Sequence, residues 1–205
     1  MKKLIIFPFN GNGLEALDCV GDQYEFIGFA DDTKAKQGKQ SRFEVFSRQL
    51  IADCPEAFVL AVPGSPASYK IRHEIIAALD LSPDRFATVI HPRAVVANRA
   101  NIGYNTLIMA GVVVTSNAQI GNHVCLLPNT VVHHDSSVGD YTLIGSNVTV
   151  AGNTQVGSNC YIGSGCSIIN GVCIGNGTLV GIGSNVLKSI SQNSKAVGNP
   201  ARILS

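Results

Sequence analysis

The chain has no tryptophan and only two methionines, and aromatic residues make up 6% of its 205 positions. A core built from large rings is therefore excluded. With 45% hydrophobic residues, what remains is a core of small and branched aliphatic side chains, enough for one long domain or two short ones. Charge is also scarce, at 14% of residues with a formal net charge of +1. No basic or acidic surplus marks nucleic acid or an acidic membrane as a partner. No apolar run is long enough to span a bilayer. Met1-Lys2-Lys3 followed by Leu4 to Phe7 is too brief for a signal peptide, since Pro8 and a Gly loop interrupt it and no cleavage site follows. The expected location is cytoplasmic. The six cysteines form no C-x-x-C pair and have no metal-ligand spacing with a histidine. They are expected to be reduced, buried and used as small hydrophobes, with no metal bound.

What the sequence does have is a repeat. Stepping six residues at a time from Ile90, every stop is aliphatic: Val96, Ile102, Ile108, Val114, Ile120, Leu126, Val132, Val138, Ile144, Val150, Val156, Ile162, Ile168, Ile174, Val180 and Val186. A fixed short period of this kind is the signature of a solenoid, here a hexapeptide parallel β-helix. Two residues before each stop the chain is small or β-branched, as at Thr106, Cys160, Cys166 and Ser184, which suits an inward-facing strand position. Three residues after each stop, from Asn105 to Gly183, stands Asn or Gly, with His123, Asp135 and Tyr141 as exceptions. Asn and Gly tolerate a left-handed backbone, so a tight turn is expected there. Aliphatic-Gly pairs recur every eighteen residues, from Ile102-Gly103 to Ile174-Gly175. That spacing predicts a three-sided coil, with residues eighteen apart stacked at roughly 4.8 Å.

Residues 1–84 read differently from 85–205, and two units are expected with that boundary. Lys3 to Phe7 suits a buried strand. The Gly11-x-Gly13-x-x-Ala16 that follows fits a strand, a Gly turn and a helix N-terminus, the loose nucleotide-binding fingerprint. The same motif also serves as an ordinary tight strand–helix turn. Tyr24 to Ala30 reads as a second strand ending at Asp31-Asp32, where such folds grip a ribose hydroxyl. Ser47 to Ala52 suits a helix and Ala57 to Val62 a third strand. Ser65-Pro66 reads as a helix start, with Ile71, Ile75, Ile76 and Leu79 on one apolar face. Together these give a small Rossmann-like α/β unit with a parallel sheet, short enough for one nucleotide rather than a dinucleotide. After the last aliphatic stop, Lys188 to Ser194 is polar and Gly198 to Ile203 reads as an extended cap.

One turn breaks the monotony of the repeat. His133-His134-Asp135 carries two imidazoles and a carboxylate where other turns carry Asn, Gly, Ser or Thr. A histidine held by an acid suits a general base near neutral pH. The alternative is a solvated polar turn. By the stacking rule Ser116 lies one coil before His134 and Gly152 one coil after. Gly152 leaves space for a substrate atom and offers an N–H to a developing oxyanion. His91 and His123 read as surface residues.

The hexad array, the HHDSSVGDY turn (133–141) and the closing GNPARIL (198–204) resemble the hexapeptide-repeat acyltransferases. With the Gly-loop unit in front, nearly the whole chain is similar to the branch that holds sialic acid O-acetyltransferases and the N-acetyltransferases of nucleotide-linked 4-amino sugars. The resemblance implies a left-handed β-helix, a homotrimer with active sites between subunits, and acetyl-CoA in the groove between neighbours. It implies an enzyme of bacterial surface-glycan synthesis that N-acetylates a nucleotide-linked amino sugar by direct transfer. O-acetylation of sialic acid or a related sugar is the second reading, and a non-catalytic or metal-dependent β-helix scaffold the third. His134 would take the acceptor's proton, Asp135 would orient the imidazole, and the Gly152 amide would face the oxyanion. Leu143, Gly152, Ser164, Gly181 and Ile182 fall at the family's coenzyme positions. Asn10, Gly11, Asn12, Asp31, Asp32 and Gly64 fall at the positions that hold the nucleotide part of the substrate. The chain departs from the family at Pro8, where Gly is usual, at Asn12 and Leu143, where His is common, and at Leu127, where Asn is common.

Overall fold

The computed structural model describes residues 1–204, and their order of elements follows the two halves of the sequence. The first half opens with β1 (Lys2–Phe7), whose Leu4 to Phe7 are fully or almost fully buried. It passes into α1 (Gly11–Leu17), where the Asn10 side chain accepts a 2.7 Å hydrogen bond from the Gly13 amide and caps the helix. A Cβ at Gly13 would lie 2.5 Å from the Pro8 carbonyl oxygen, so the close strand-to-helix turn requires glycine there. Strand β2 (Tyr24–Ala30) follows, then β3 (Gly38–Gln40), β4 (Phe43–Phe46), α2 (Gln49–Asp53) and β5 (Phe58–Ala61). The sheet order is β3-β4-β2-β1-β5. All neighbouring pairs are parallel except β3 with β4.

Two expectations are corrected here. The β3–β4 hairpin makes the sheet mixed rather than purely parallel. Its strands are short and carry Lys39, Gln40 and Glu44 beside Phe43 and Val45, so no long apolar run announced them. The helix expected from Ser65 begins later, as a 3₁₀ turn at Tyr69–Ile71 and then α3 (Arg72–Ala77). Ser65 does cap locally, its hydroxyl accepting from the Ala67 amide at 3.3 Å, but the segment stays a turn. Tyr69 explains this: its buried ring leans on Tyr161 and its hydroxyl donates to the Gly177 carbonyl at 3.1 Å. That anchor to the second half sets where the helix can start.

From Val89 the chain winds as a left-handed parallel β-helix of two-residue strands. Face one stacks Val89–Ile90, Leu107–Ile108, Cys125–Leu126, Leu143–Ile144, Tyr161–Ile162 and Leu179–Val180. Face two stacks Val95–Val96 through Asn185–Val186, and face three Asn101–Ile102 through Cys173–Ile174. Partners are eighteen residues apart, as Val113 with Val131 and Gln119 with Ser137. The aliphatic stops from Ile108 onward form one buried column inside the prism. Every turn residue from Asn105 to Gly183 has φ between 51° and 73°, the three exceptional residues included. Tyr141, the least suited, stacks its ring on His123 one coil below, centroids 4.5 Å apart and planes 7° apart.

The small inward residues satisfy a second need. Where this position holds Thr or Cys, its side chain donates to a corner carbonyl about fifteen residues later. Thr130 bonds Gly145 O at 2.7 Å, Thr142 bonds Gly157 O at 2.8 Å, and the thiols of Cys160 and Cys166 reach Gly175 O and Gly181 O at 3.3 and 3.0 Å. These two cysteines are buried as expected, yet they are donors as well as small hydrophobes, whereas Cys54 is half-buried and Cys173 is exposed, which corrects the expectation for those two. The polar segment Lys188–Ser194 is not an end to the winding. Ile190 pairs with Ile174, and Lys195–Gly198 pairs with Leu179–Val180, so the last coil is completed with sixteen residues instead of eighteen.

The strand residue before each stop points outward and decides what each face meets. On face one it is Val89, Leu107, Cys125, Leu143, Tyr161 and Leu179, and these pack with Leu4, Ile6, Phe29, Leu60 and Tyr69 of the first half. On face three it is Asn101, Gln119, Ser137, Gln155 and Cys173, which face solvent. Polar clamps seal the junction. Asn105 exchanges two hydrogen bonds with the Ala61 backbone, at 2.7 and 2.9 Å. The fully buried Arg72 donates to Pro63 O at 2.6 Å, to the His123 carbonyl and to Cys125 Sγ at 3.3 Å. His123 is thus no surface residue. It is 3% exposed between Tyr104, Phe86 and Tyr141, and burial, followed by the Arg72 charge, pushes its pKa down to about 4.

Candidate active site

Corners of the prism are where side chains leave the regular pattern, and the proposed reacting residues lie on two of them. At the corner between faces two and three, the backbone of the His134-Asp135 turn is held from both sides. The Asp135 amide donates to Ser116 O at 3.1 Å below, and Asn153 donates to His134 O at 3.0 Å above. His134 Nδ1 lies 2.8 Å from Asp135 Oδ2. A carboxylate accepts only, so Nδ1 carries the proton and Nε2 presents its lone pair. The other carboxylate oxygen accepts from Asn117 Nδ2 at 2.9 Å. The Asn117 bond, followed by the His134 bond, holds the Asp135 carboxyl below the usual carboxylate range. Both side chains are open to solvent, His134 at 54%.

Gly152 sits directly above. A Cβ there would lie 2.7 Å from His134 Nε2 and 2.8 Å from Cε1. The space freed by the missing side chain is filled by the imidazole itself, which corrects the expectation that a substrate atom uses it. His133, beside the pair, makes no side-chain hydrogen bond among the described residues.

A cavity of about 470 Å³ lies elsewhere, where the first half meets face one. It is lined by Asn10, Gly11, Asn12, Gly64, Ser65, Pro66, Ser68, Leu127, Leu143, Ile144, Gly145 and Tyr161. Four of the predicted substrate-side residues, Asn10, Gly11, Asn12 and Gly64, therefore meet in one place. Asn12 Nδ2 reaches Gly64 O at 3.5 Å and Asn10 Nδ2 reaches Val62 O at 3.4 Å, so the two loops brace each other. Gly64 has φ +131°, and a Cβ on it would meet Leu143 Cδ1 at 2.7 Å. Leu143 thus lines this cavity. The wall is uncharged: amides and hydroxyls on one side, Leu127, Leu143 and Tyr161 on the other.

Ser164, Gly181 and Ile182 continue upward from Gly145 along the corner between faces one and two. Ser164 Oγ accepts from the Ser146 amide at 3.1 Å, a Cβ on Gly163 would meet Ile182 N at 2.6 Å, and Ile182 is 79% exposed. Asp31 and Asp32 do not line the cavity. Asp31, 2% exposed, takes the Thr33 amide at 2.8 Å and Lys36 Nζ at 3.0 Å, and Lys36 also reaches Phe9 O at 2.9 Å. Asp32 is paired with Arg48. Both acids brace the first unit. Sequence reasoning missed Ser65, Pro66, Ser68 and Tyr161, because nothing local joins the turn at 65–68 to face one. It also missed Asn117, which the eighteen-residue rule places under Asp135. Among the described residues no three His, Cys, Asp or Glu side chains converge as a metal-binding group. Among the described residues no helix is long and apolar enough to cross a membrane.

Residues 117–152 match the family model described as bacterial transferase hexapeptide (six repeats). No curated protein matches the sequence. Among solved structures, the acetyltransferase domain of PglB from Neisseria gonorrhoeae in complex with acetyl coenzyme A is 26% identical, with a TM-score of 0.88 over 99% of both chains. WeeI from Acinetobacter baumannii is 25% identical, with a TM-score of 0.82 over the whole of both chains. A mutant form of perosamine N-acetyltransferase from Caulobacter crescentus, in complex with CoA and GDP-perosamine, shares the fold at 22% identity, with a TM-score of 0.86 over 100% of this chain and 97% of that one. In its six-residue repeat, its stacking and its end-to-end fold the chain is thus similar to these hexapeptide-repeat acetyltransferase structures.

Proposed function

We propose that the chain is an acetyl-CoA-dependent acetyltransferase that N-acetylates a nucleotide-linked amino sugar. The observation that carries this reading is the His134–Asp135 pair: a 2.8 Å contact that leaves Nε2 open, on the corner of a hexapeptide β-helix, in a chain alike end to end with an acetyltransferase domain bound to acetyl coenzyme A. In this reading His134 Nε2 takes the proton from the acceptor amine as its nitrogen attacks the thioester carbonyl. The C–N bond forms, the C–S bond breaks, and the proton passes to the departing CoA sulfur. Asp135 holds the imidazole tautomer throughout. The Gly152 N–H, which makes no hydrogen bond within the described residues, faces the oxyanion.

Residues 1–84 and the adjoining wall of face one would hold the nucleotide sugar. Residues 85–205 would hold the coenzyme along the run from Gly145 to Ile182. The base and the cavity stand on different corners, with the whole of face two between them, so one chain does not assemble the reaction. A second copy laid against face two brings one subunit's His134 to its neighbour's cavity, and three such contacts close a homotrimer. Face two suits contact: its outward Val95, Val113 and Val131 are apolar, and Val95, Ile169 and Leu187 are exposed beside it.

The test is free-thiol release from acetyl-CoA with UDP-, dTDP- and GDP-linked 4-amino sugars and sialic acid, for wild type and His134→Ala. Turnover with one nucleotide amino sugar, lost in the variant, supports the proposal. Release with sialic acid alone moves the acceptor to a hydroxyl. Absence of coenzyme binding together with absence of release defeats the transferase reading.

A further inference from the structure

We infer that Asn117, one coil below the reacting turn, is a positioning residue that fixes the Asp135 carboxylate and through it the His134 ring. The inference deepens the transferase reading and rests on it. Asp135 has two carboxylate oxygens and each has one side-chain partner: His134 Nδ1 on Oδ2 at 2.8 Å and Asn117 Nδ2 on Oδ1 at 2.9 Å. A carboxylate held by one oxygen alone turns about its Cβ–Cγ bond. Held by both, its plane is set, and the imidazole that donates to it is set with it.

The geometry of the solenoid makes this contact specific. Asn117 and Asp135 occupy the same left-handed turn position, with φ +62° and +58°, so their side chains leave the corner in parallel one strand spacing apart. Asn153 stands at the equivalent position one coil above, with φ +57°, and its side chain makes no hydrogen bond among the described residues, so Asp135 leans down rather than up. The Asn117 carbonyl accepts from Gln119 Nε2 at 3.3 Å, which ties the lower turn to face three. Most turns of the repeat need only Asn or Gly for the backbone. At 117 the amide adds a donor, and glycine, which serves at 111, 165, 171, 177 and 183, would not.

That substitution is the test. Asn117→Gly keeps the backbone conformation at no steric cost and removes only the amide. Asn117→Asp keeps the shape and replaces the donor with a carboxylate facing Asp135. Two readouts are taken on the full chain. The first is the titration of the Asp135 carboxyl carbon by NMR, which needs no turnover: its midpoint rises in Asn117→Gly and rises further in Asn117→Asp. The second is steady-state acetyl transfer. In Asn117→Gly, kcat falls about tenfold while both KM values hold, since a base displaced by a fraction of an ångström loses rate rather than binding. In an Asp135→Asn background the same change has no further effect, because the residue acts through that carboxylate. An unmoved Asp135 midpoint in Asn117→Gly overturns the inference, as does an equal loss of kcat with and without Asp135. A wild type that titrates as described but transfers no acyl group would instead defeat the transferase reading and leave the Asn117–Asp135 contact established.

Discussion

Replacing Gly152 with alanine probes the seat of the imidazole with a single methyl group. Gly152 has no left-handed φ, so alanine adopts its backbone without strain. The new methyl would stand 2.7 Å from His134 Nε2, 2.8 Å from Cε1 and 3.2 Å from Cδ2. Ordinary non-bonded contact begins near 3.5 Å, so the ring must withdraw by about 0.8 Å or swing away. Swinging away breaks the 2.8 Å contact with Asp135. It costs the fold little, because the His134 side chain is 54% exposed and meets water rather than a packed wall. A reacting group misplaced by about 1 Å loses on the order of a hundredfold in rate, or about 2.7 kcal/mol of transition-state stabilisation. The expected result is a kcat for CoA release about a hundredfold below wild type, with the midpoint of thermal unfolding unchanged within a few degrees. Gly152→Ala with wild-type kcat would falsify the reasoning, since the ring would then react without resting on residue 152. Loss of rate together with a large drop in unfolding temperature would assign the glycine to the fold instead.

Gly64→Ala, at φ +131° and against Leu143 Cδ1, should close the back of the cavity and raise KM for the acceptor severalfold with KM for acetyl-CoA unchanged; equal acceptor KM values would remove residue 64 from the substrate side. Unfolding by urea as a function of pH should report His123, whose pKa falls on folding from 6.5 to about 4. The unfolded chain binds the proton first, so stability is full above about pH 6.5 and is lost as pH falls toward about 4, by about 3 kcal/mol in all. His123→Asn keeps a residue that tolerates the left-handed turn and should flatten that part of the curve; an unchanged slope in the variant would place the titration elsewhere. Arg72→Met should leave Pro63 O and His123 O without their donor and lower stability by on the order of 2 kcal/mol, seen as a smaller urea midpoint; a more stable variant would mean that burying the guanidinium costs more than its hydrogen bonds return.

The β-helix was legible because its rules are local and repeat. An aliphatic residue every sixth position, a small or β-branched residue two before it and a left-handed turn three after it are set by strand geometry and backbone sterics, and each recurs often enough to outweigh an exception. Even Tyr141 obeyed the turn. Where the rule changed, the sequence was silent: the last coil drops two residues and places Ile190 where Gln192 would have been the next stop. The short β3–β4 hairpin and the delayed start of α3 were hidden for a related reason, since a partner strand and the Tyr69 anchor on the second half decide them rather than local pattern.

The candidate site divides in the same way. By itself the sequence determined the His134-Asp135 turn, its place in the repeat, the glycine above it and the Asn and Gly loops of the first unit, because each is a short motif or an eighteen-residue offset. Only the tertiary structure decided the rest. It buried Asp31 against Lys36, paired the exposed Asp32 with Arg48, buried His123 under Arg72, laid the His134 ring over Gly152 and brought Asn117 to Asp135. It also placed Leu143 and Tyr161 opposite the distant turn that carries Gly64 to Ser68. Those outcomes depend on which outward residues of face one meet which loops, and a contact between distant segments leaves no period in the sequence to read.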